Sequence, residues 1–146
     1  MAYIFDIDGT LADCSHRLHH ITGENKDWDA FYKECANDDP IEPVLEMLLD
    51  LQTAGATVYY VTGRPVKYMA ETIKWLETYT GERVKGLWMR PNDDHRPDYI
   101  VKKEIYETEI RPYCGEVDGV FEDRKQCVDM WRGLGLTCYQ VADGNY

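Results

Sequence analysis

The sequence predicts an α/β protein, a Rossmann-like three-layer sandwich built on a mostly parallel five-stranded sheet with a small insertion after the first strand. Two observations predict it. Short β-branched and aromatic runs alternate with stretches whose apolar residues recur at helical spacing. The runs also stop abruptly at polar clusters, Asp6-Ile7-Asp8-Gly9 and Thr62-Gly63-Arg64-Pro65 among them. Strands that alternate with helices require right-handed crossovers, and hence parallel pairing.

Each element follows in order. Tyr3-Ile4-Phe5 reads as a short buried strand. Ile41, Val44, Leu45, Leu48 and Leu51 mark one helix face, and Gly55 suits its C-terminus. Thr57 to Val61 forms the second strand, which Thr62-Gly63-Arg64-Pro65 is expected to end. Met69, Ile73 and Leu76 stripe the next helix up to Gly81, and Leu87-Trp88-Met89 is the third strand. Val101 and Ile105 lie on a further helix, Val120-Phe121 in the fourth strand, Val128 and Trp131 on the last helix, and Thr137 to Val141 in the fifth strand. No repeat, low-complexity tract or Gly/Ser linker divides the chain, so residues 1–146 are expected to form a single domain.

Composition narrows the function. The 16 Lys+Arg against 27 Asp+Glu give 16 − 27 = −11, which excludes a broadly basic face that coats duplex nucleic acid by counterion release. A small basic pocket on an acidic protein remains compatible with it. No stretch approaches the roughly 18 apolar residues of a membrane span, and the first residues, Met-Ala-Tyr-Ile-Phe-Asp, lack the pattern of a secretory signal. The cysteines at 14, 35, 114, 127 and 138 are odd in number and contain no C-x-x-C pair. They read as reduced thiols of a cytoplasmic protein.

In open parallel sheets the ligand sits beyond the carboxyl ends of the strands. Asp6 with Asp8, Thr62 with Arg64, and Glu122 with Asp123 follow three such ends. A carboxylate at Asp6 can attack phosphorus to give an aspartyl-phosphate, and Asp8 can protonate the leaving oxygen and then deprotonate water. An isolated D-x-D-G would read as an ordinary turn; a buried strand leading into D-x-D-G-T is more specific. The Thr62 hydroxyl can bond a phosphoryl oxygen, or serve as an ordinary helix N-cap. Arg64 can clamp a phosphate. Lys102 lies four residues after Asp98, so the two share a helix face, either as a solvated pair or with the lysine turned to the phosphate. Glu122 and Asp123, near Asp6 and Asp8, suit a hard-oxygen Mg²⁺ site, or simply a helix N-terminus. His16, His19 and His20 lack a completing ligand for zinc and read as a polar loop.

Taken together these residues resemble the haloacid dehalogenase superfamily of aspartate-nucleophile phosphotransferases, whose signatures Asp6/Asp8, Thr62, Lys102 and Glu122-Asp123 match in order. Within it, the chain resembles the 3′-phosphatase domain of phage polynucleotide kinases, through Asp6 to Ala12 with Arg17, Val61 to Arg64, Val101 to Ile105, Glu122-Asp123-Arg124, Met130-Trp131-Arg132 and Cys138 to Ala142. The resemblance implies Asp6 and Asp8 as catalytic residues, and Asp6, Asp8 (through its carbonyl) and Asp123 as Mg²⁺ ligands. It implies Thr62, Lys102, Arg17 and Arg64 on the substrate phosphate, Asp98 orienting Lys102, Glu122 outside the direct ligands, and strand order 5-4-1-2-3. Residues 14–40, with a helix over Trp28 to Cys35, are longer than in the phage domain and fall where this superfamily carries specificity caps.

The expected activity is Mg²⁺-dependent removal of 3′-phosphates from nucleic acid ends or nucleotides. The alternative is a phosphatase for 5′-nucleotides or sugar phosphates, which the acidic charge favours. A binding module without turnover is disfavoured by the intact Asp6 and Asp8. No G-x-x-x-x-G-K-[ST] motif is present, so no kinase domain is expected in this chain, which leaves room for a separate kinase or ligase partner.

Overall fold

The computed structural model describes Met1 through Tyr146. Strand β1 (Ala2–Phe5) leads into a segment containing β2 (Ala12–Asp13), α1 (Trp28–Lys33) and β3 (Asp39–Pro40). Then come α2 (Glu42–Thr53), β4 (Thr57–Pro65), α3 (Met69–Thr80) and β5 (Leu87–Arg90). The chain finishes with α4 (Asp98–Ile105), α5 (Arg111–Cys114), β6 (Gly119–Glu122), α6 (Lys125–Gly133) and β7 (Cys138–Gln140).

The main sheet runs β5-β4-β1-β6-β7, every pair parallel. Counted over these strands alone and from the other edge, this is the expected order 5-4-1-2-3. β2 and β3 pair antiparallel in a small separate ladder.

Side chains alternate across the sheet because successive Cβ atoms point to opposite faces. On one face Ile4, Val61 and Val120 pack with Val101 and Ile105 of α4 and Val128 and Trp131 of α6. On the other, Phe5, Val58, Tyr60 and Phe121 pack with Leu48 of α2 and Trp75 and Leu76 of α3. Fully burying a side chain such as Leu48 or Leu76 contributes about 1.5–3 kcal/mol. The rings of Phe5 and Phe121 stack at 4.3 Å, tying β1 to β6.

Three boundaries differ from the sequence reading. Thr62-Gly63-Arg64-Pro65 does not end its strand: β4 continues to Pro65, with a register shift between Thr62, paired with Met89, and Pro65, paired with Arg90. The Val101/Ile105 helix does not stop after its stripe but widens into a π turn over Tyr106–Ile110 before α5. The helix of the insertion is shorter than Trp28–Cys35, its last turn tightening to a 3-10 turn over Cys35–Asn37. No helix is long and apolar enough to cross a membrane.

Candidate active site

The site begins where β1 ends. The backbone N–H groups of Thr10, Leu11 and Ala12 all donate to the carbonyl of Ile7, closing the chain into a tight loop. Gly9 makes that loop possible: its φ is +80°, and a Cβ there would collide with the Asp123 carboxylate. The same turn therefore brings Asp6 beside Asp123. Thr10 Oγ1 bridges them, 3.1 Å from Asp6 Oδ2 and 3.2 Å from Asp123 Oδ1.

Lys102 reaches the cluster from α4. Its Nζ donates to Asp6 Oδ1 at 2.7 Å and to Glu122 Oε2 at 2.8 Å, all buried. Glu122 also accepts the backbone N–H of Asp123 at 3.1 Å, so it serves as the anchor of Lys102 and of the loop after β6. One lysine thus faces Asp6, Glu122 and Asp123, whose oxygens lie within 4.8 Å of one another. Burial and the neighbouring Glu122 charge raise the Asp6 carboxyl well above its usual range, and the same two causes push Asp123 up to about 6. Asp123 Oδ2 is buried with no hydrogen-bond partner. Hard oxygens, excess negative charge and an orphaned carboxylate oxygen are the donor set of a divalent oxygen-loving cation.

Asp8 points away from this cluster, toward two arginines. Arg64 Nη2 lies 2.6 Å from Asp8 Oδ1, Arg64 Nε lies 3.1 and 3.2 Å from its two oxygens, and Arg17 Nη2 bonds the same carboxylate. Burial alone would raise the Asp8 carboxyl, but the Arg64 and Arg17 charges outweigh it and hold it at about 2. Asp38 completes the group, accepting Arg17 Nε at 2.8 Å, Arg17 Nη2 at 2.6 Å and Arg64 Nη2 at 3.3 Å. Arg17 further lies 4.2 Å over the Phe31 ring, and Arg64 Nη1 donates to Thr72 at 3.1 Å.

The structure brings Asp6, Asp8, Thr62, Lys102, Glu122 and Asp123 to one edge of the sheet and alters the expected roles of three residues. Arg17 and Arg64 are not free cations aimed at substrate. Both are fully buried, and a buried guanidinium needs carboxylate partners, which Asp8 and Asp38 supply. Asp98 does not orient Lys102 by contact: it accepts from Arg90 Nη2 and, at 3.3 Å, from Arg124 Nη1, packed over Gly63, where a Cβ would strike it. Thr62 is buried in the small pocket with Asp6 and Asp8, its hydroxyl accepting the Arg64 N–H at 3.2 Å. The histidines pair with carboxylates, His16 with Asp38 at 2.7 Å and His20 with Glu34 at 3.2 Å.

Sequence reasoning missed several site residues. Thr10 stood inside D-x-D-G-T without a role. Tyr32, whose hydroxyl donates to the Gly63 carbonyl at 3.2 Å, and Tyr146, whose hydroxyl donates to the Asp8 carbonyl at 2.6 Å, carried no signal. Asp38 carried none either.

A family model for the polynucleotide kinase PNKP phosphatase domain matches residues 1–146. The chain belongs to that family. It is accordingly a phosphatase domain, a phosphoric monoester hydrolase of the haloacid dehalogenase type. It is 29% identical over 136 residues to an Autographa californica nuclear polyhedrosis virus protein named for bifunctional polynucleotide kinase and RNA ligase activity. That match covers 92% of this chain and 18% of the viral protein. A chain of the solved Pnkp1/Rnl/Hen1 RNA repair complex matches at 32% identity and TM-score 0.84, over 99% of this chain and 43% of that one. A haloacid dehalogenase-like hydrolase from Streptococcus pneumoniae shares the fold at TM-score 0.61 and 14% identity, over 95% and 83% of the two chains. The phosphatase domain described here thus spans less than half the length of its more similar relatives.

Proposed function

We propose that this phosphatase domain removes 3′-phosphates from nucleic acid ends or nucleotides, with Asp6 as the nucleophile and Mg²⁺ as its cofactor. The observation that carries this reading is the buried contact between Asp6 and Lys102 beside the unpartnered Asp123 oxygen. Asp6, Asp123 and the Asp8 carbonyl would hold the cation. Bound there, it supplies positive charge that offsets repulsion between the Asp6 carboxylate and an anionic phosphate.

The chain's own residues do the rest. An Asp6 oxygen attacks phosphorus as the ester P–O bond breaks, and the leaving alkoxide takes a proton from Asp8. Water, losing its proton to Asp8, then attacks the aspartyl-phosphate and frees Asp6. Held at about 2 by Arg64 and Arg17, Asp8 is ionised at neutral pH in the free domain. It must therefore gain its proton as the phosphate arrives, because an incoming anion opposes the arginine field. Thr62 and Lys102 are the proposed phosphate contacts. Arg17 and Arg64 act on the phosphate through Asp8.

An end-repair role is supported by the family and by the activities named for the relatives, and the 3′ preference rests on the resemblance to the 3′-phosphatase domain of phage polynucleotide kinases. Residues 1–146 hold no P-loop motif, so we assign any kinase step to a partner or to another part of a longer protein. Residues 14–40 are proposed to cap the site of this one domain. Five free thiols suit a reducing compartment such as the cytoplasm.

Phosphate release from a 3′-phosphorylated oligonucleotide, measured beside its 5′-phosphorylated counterpart, tests the reading. The 3′ end should be preferred, Mg²⁺ should be required and Asp6→Asn should abolish release. The net charge of −11 favours a second reading, a phosphatase for small phosphoesters, and preference for 5′-nucleotides or sugar phosphates would establish it instead.

A further inference from the structure

Helix α1 roofs the Asp6–Asp8 pocket. Tyr32 bonds the Gly63 carbonyl, and Trp28 stacks on Tyr32 with centroids 6.0 Å apart. Trp28, Tyr32, Asp98 and Arg124 line both this pocket and a larger cleft of about 350 Å³ that continues from it. That volume lies within the ~300–1,000 Å³ range of small-ligand sites.

The cleft differs in charge from the rest of the molecule. Lys67, Arg90, Arg96 and Arg124 face Asp29, Asp94 and Asp98, so its walls sum to 4 − 3 = +1 in a chain of net charge −11. Arg90 and Arg124 are committed to Asp98. Lys67 and Arg96 are different: their side chains are 50% and 45% exposed, paired to Asp29 and to Asp94 and Glu104. The Lys67–Asp29 and Arg96 Nη1–Glu104 pairs are exposed on both sides and worth only about 0–1 kcal/mol, so an arriving phosphodiester can displace them, while Arg96 Nε and Nη2 stay on Asp94. Trp28 is 38% exposed at the cleft wall, and Lys26 Nζ lies 5.9 Å from its ring centroid.

We infer that this cleft is a nucleoside subsite: the base of the nucleotide bearing the terminal phosphate stacks on Trp28, and the preceding phosphodiester pairs with Lys67 and Arg96. The assignment rests on the 3′-phosphatase reading above, which sets the terminal phosphate at Asp6. It adds that the preferred substrate is a single-stranded end of at least two nucleotides, since a base held in its duplex stack cannot lie on Trp28.

Trp28→Ala, Trp28→Phe and the double variant Lys67→Ala/Arg96→Ala would be compared with the unmodified domain. The substrates are a 3′-phosphorylated trinucleotide, its counterpart abasic at the terminal position, the nucleoside 3′-phosphate and acetyl phosphate. Stacking is worth about 1–3 kcal/mol per base, so Trp28→Ala should lower the kcat/KM ratio of base-bearing to abasic trinucleotide by roughly 5–150-fold. Trp28→Phe should restore most of that ratio. Lys67→Ala/Arg96→Ala should lower the ratio of trinucleotide to mononucleotide. Calorimetric binding of the trinucleotide to the Asp6→Asn variant should weaken in parallel. Unchanged ratios with intact 3′-phosphate turnover would overturn the subsite alone. Turnover of acetyl phosphate with neither turnover nor binding of the 3′-phosphorylated trinucleotide would overturn the 3′-phosphatase reading and the subsite together.

Discussion

Lys102 and Asp6, ninety-six residues apart in sequence, meet at 2.7 Å between Nζ and Oδ1 in a site with almost no solvent. Burial alone would lower the lysine's pKa, but Asp6 and Glu122 more than compensate and raise it well above its ordinary value. The ammonium is therefore charged at every working pH. It offsets part of a carboxylate cluster that would otherwise repel both itself and a phosphate.

Lys102→Ala should accordingly destabilise the fold, by about 3–5 kcal/mol, as expected when a buried pair loses one member. Phosphate release should fall with it. Lys103→Ala, on the exposed side of α4, should change neither. Thermal melts and phosphate release on both variants check this; dependence on Lys103 instead would shift the helix register by one residue.

Asp8→Asn should slow hydrolysis of an alkyl phosphate by about 10²–10⁴-fold, the usual range of general acid–base help. An aryl phosphate, whose leaving group needs little protonation, should lose less. Equal losses on the two esters would remove Asp8 from the acid role.

Asp38 touches neither Asp6 nor Lys102, yet Asp38→Ala leaves the buried Arg17 and Arg64 sharing Asp8 alone. We expect a stability loss of about 3–5 kcal/mol. We also expect a changed pH profile of turnover, because the arginine field on Asp8 is rearranged. A melt and a pH–rate profile are the measurements; an unaltered melting temperature would contradict the paired network.

The metal-free domain should lose stability as pH rises from about 4 to 6. Asp123 is raised from 3.8 to about 6, so across that window the folded state holds a proton that the unfolded chain has released. Its contribution is favourable below the unfolded value and declines until the folded group ionises. Mg²⁺ should flatten the decline by stabilising the ionised carboxylate, and Asp123→Asn should reduce it, the raised Asp6 carboxyl supplying the remainder. Melting temperatures at pH 4, 5, 6 and 7, with EDTA and with Mg²⁺, would reveal the trend; an identical slope in Asp123→Asn would assign it to other groups.

Much of this was legible in the sequence. Ile4-Phe5 running into Asp6-Ile7-Asp8-Gly9-Thr10 announces a buried strand, a tight turn and two carboxylates, all decided by residues close in the chain. The alternation of strands and helices then brings the ends at Asp6, Thr62 and Asp123 to one edge, because crossover handedness leaves few other arrangements. The sheet order followed from the resemblance, and the structure has it.

Partner choice is what only the tertiary structure decided. Asp98 and Lys102 are compatible with an i,i+4 pair, yet desolvation draws Lys102 to Asp6 and Glu122, and Asp98 to Arg90 and Arg124. Arg17 and Arg64 read as substrate cations until Asp38, 21 and 26 residues away from them, arrives from the insertion and buries both. Periodicity and turn chemistry act between neighbours and so are written locally. The pairing of buried charges depends on which groups the packed core excludes from water together, and that is a property of the folded chain.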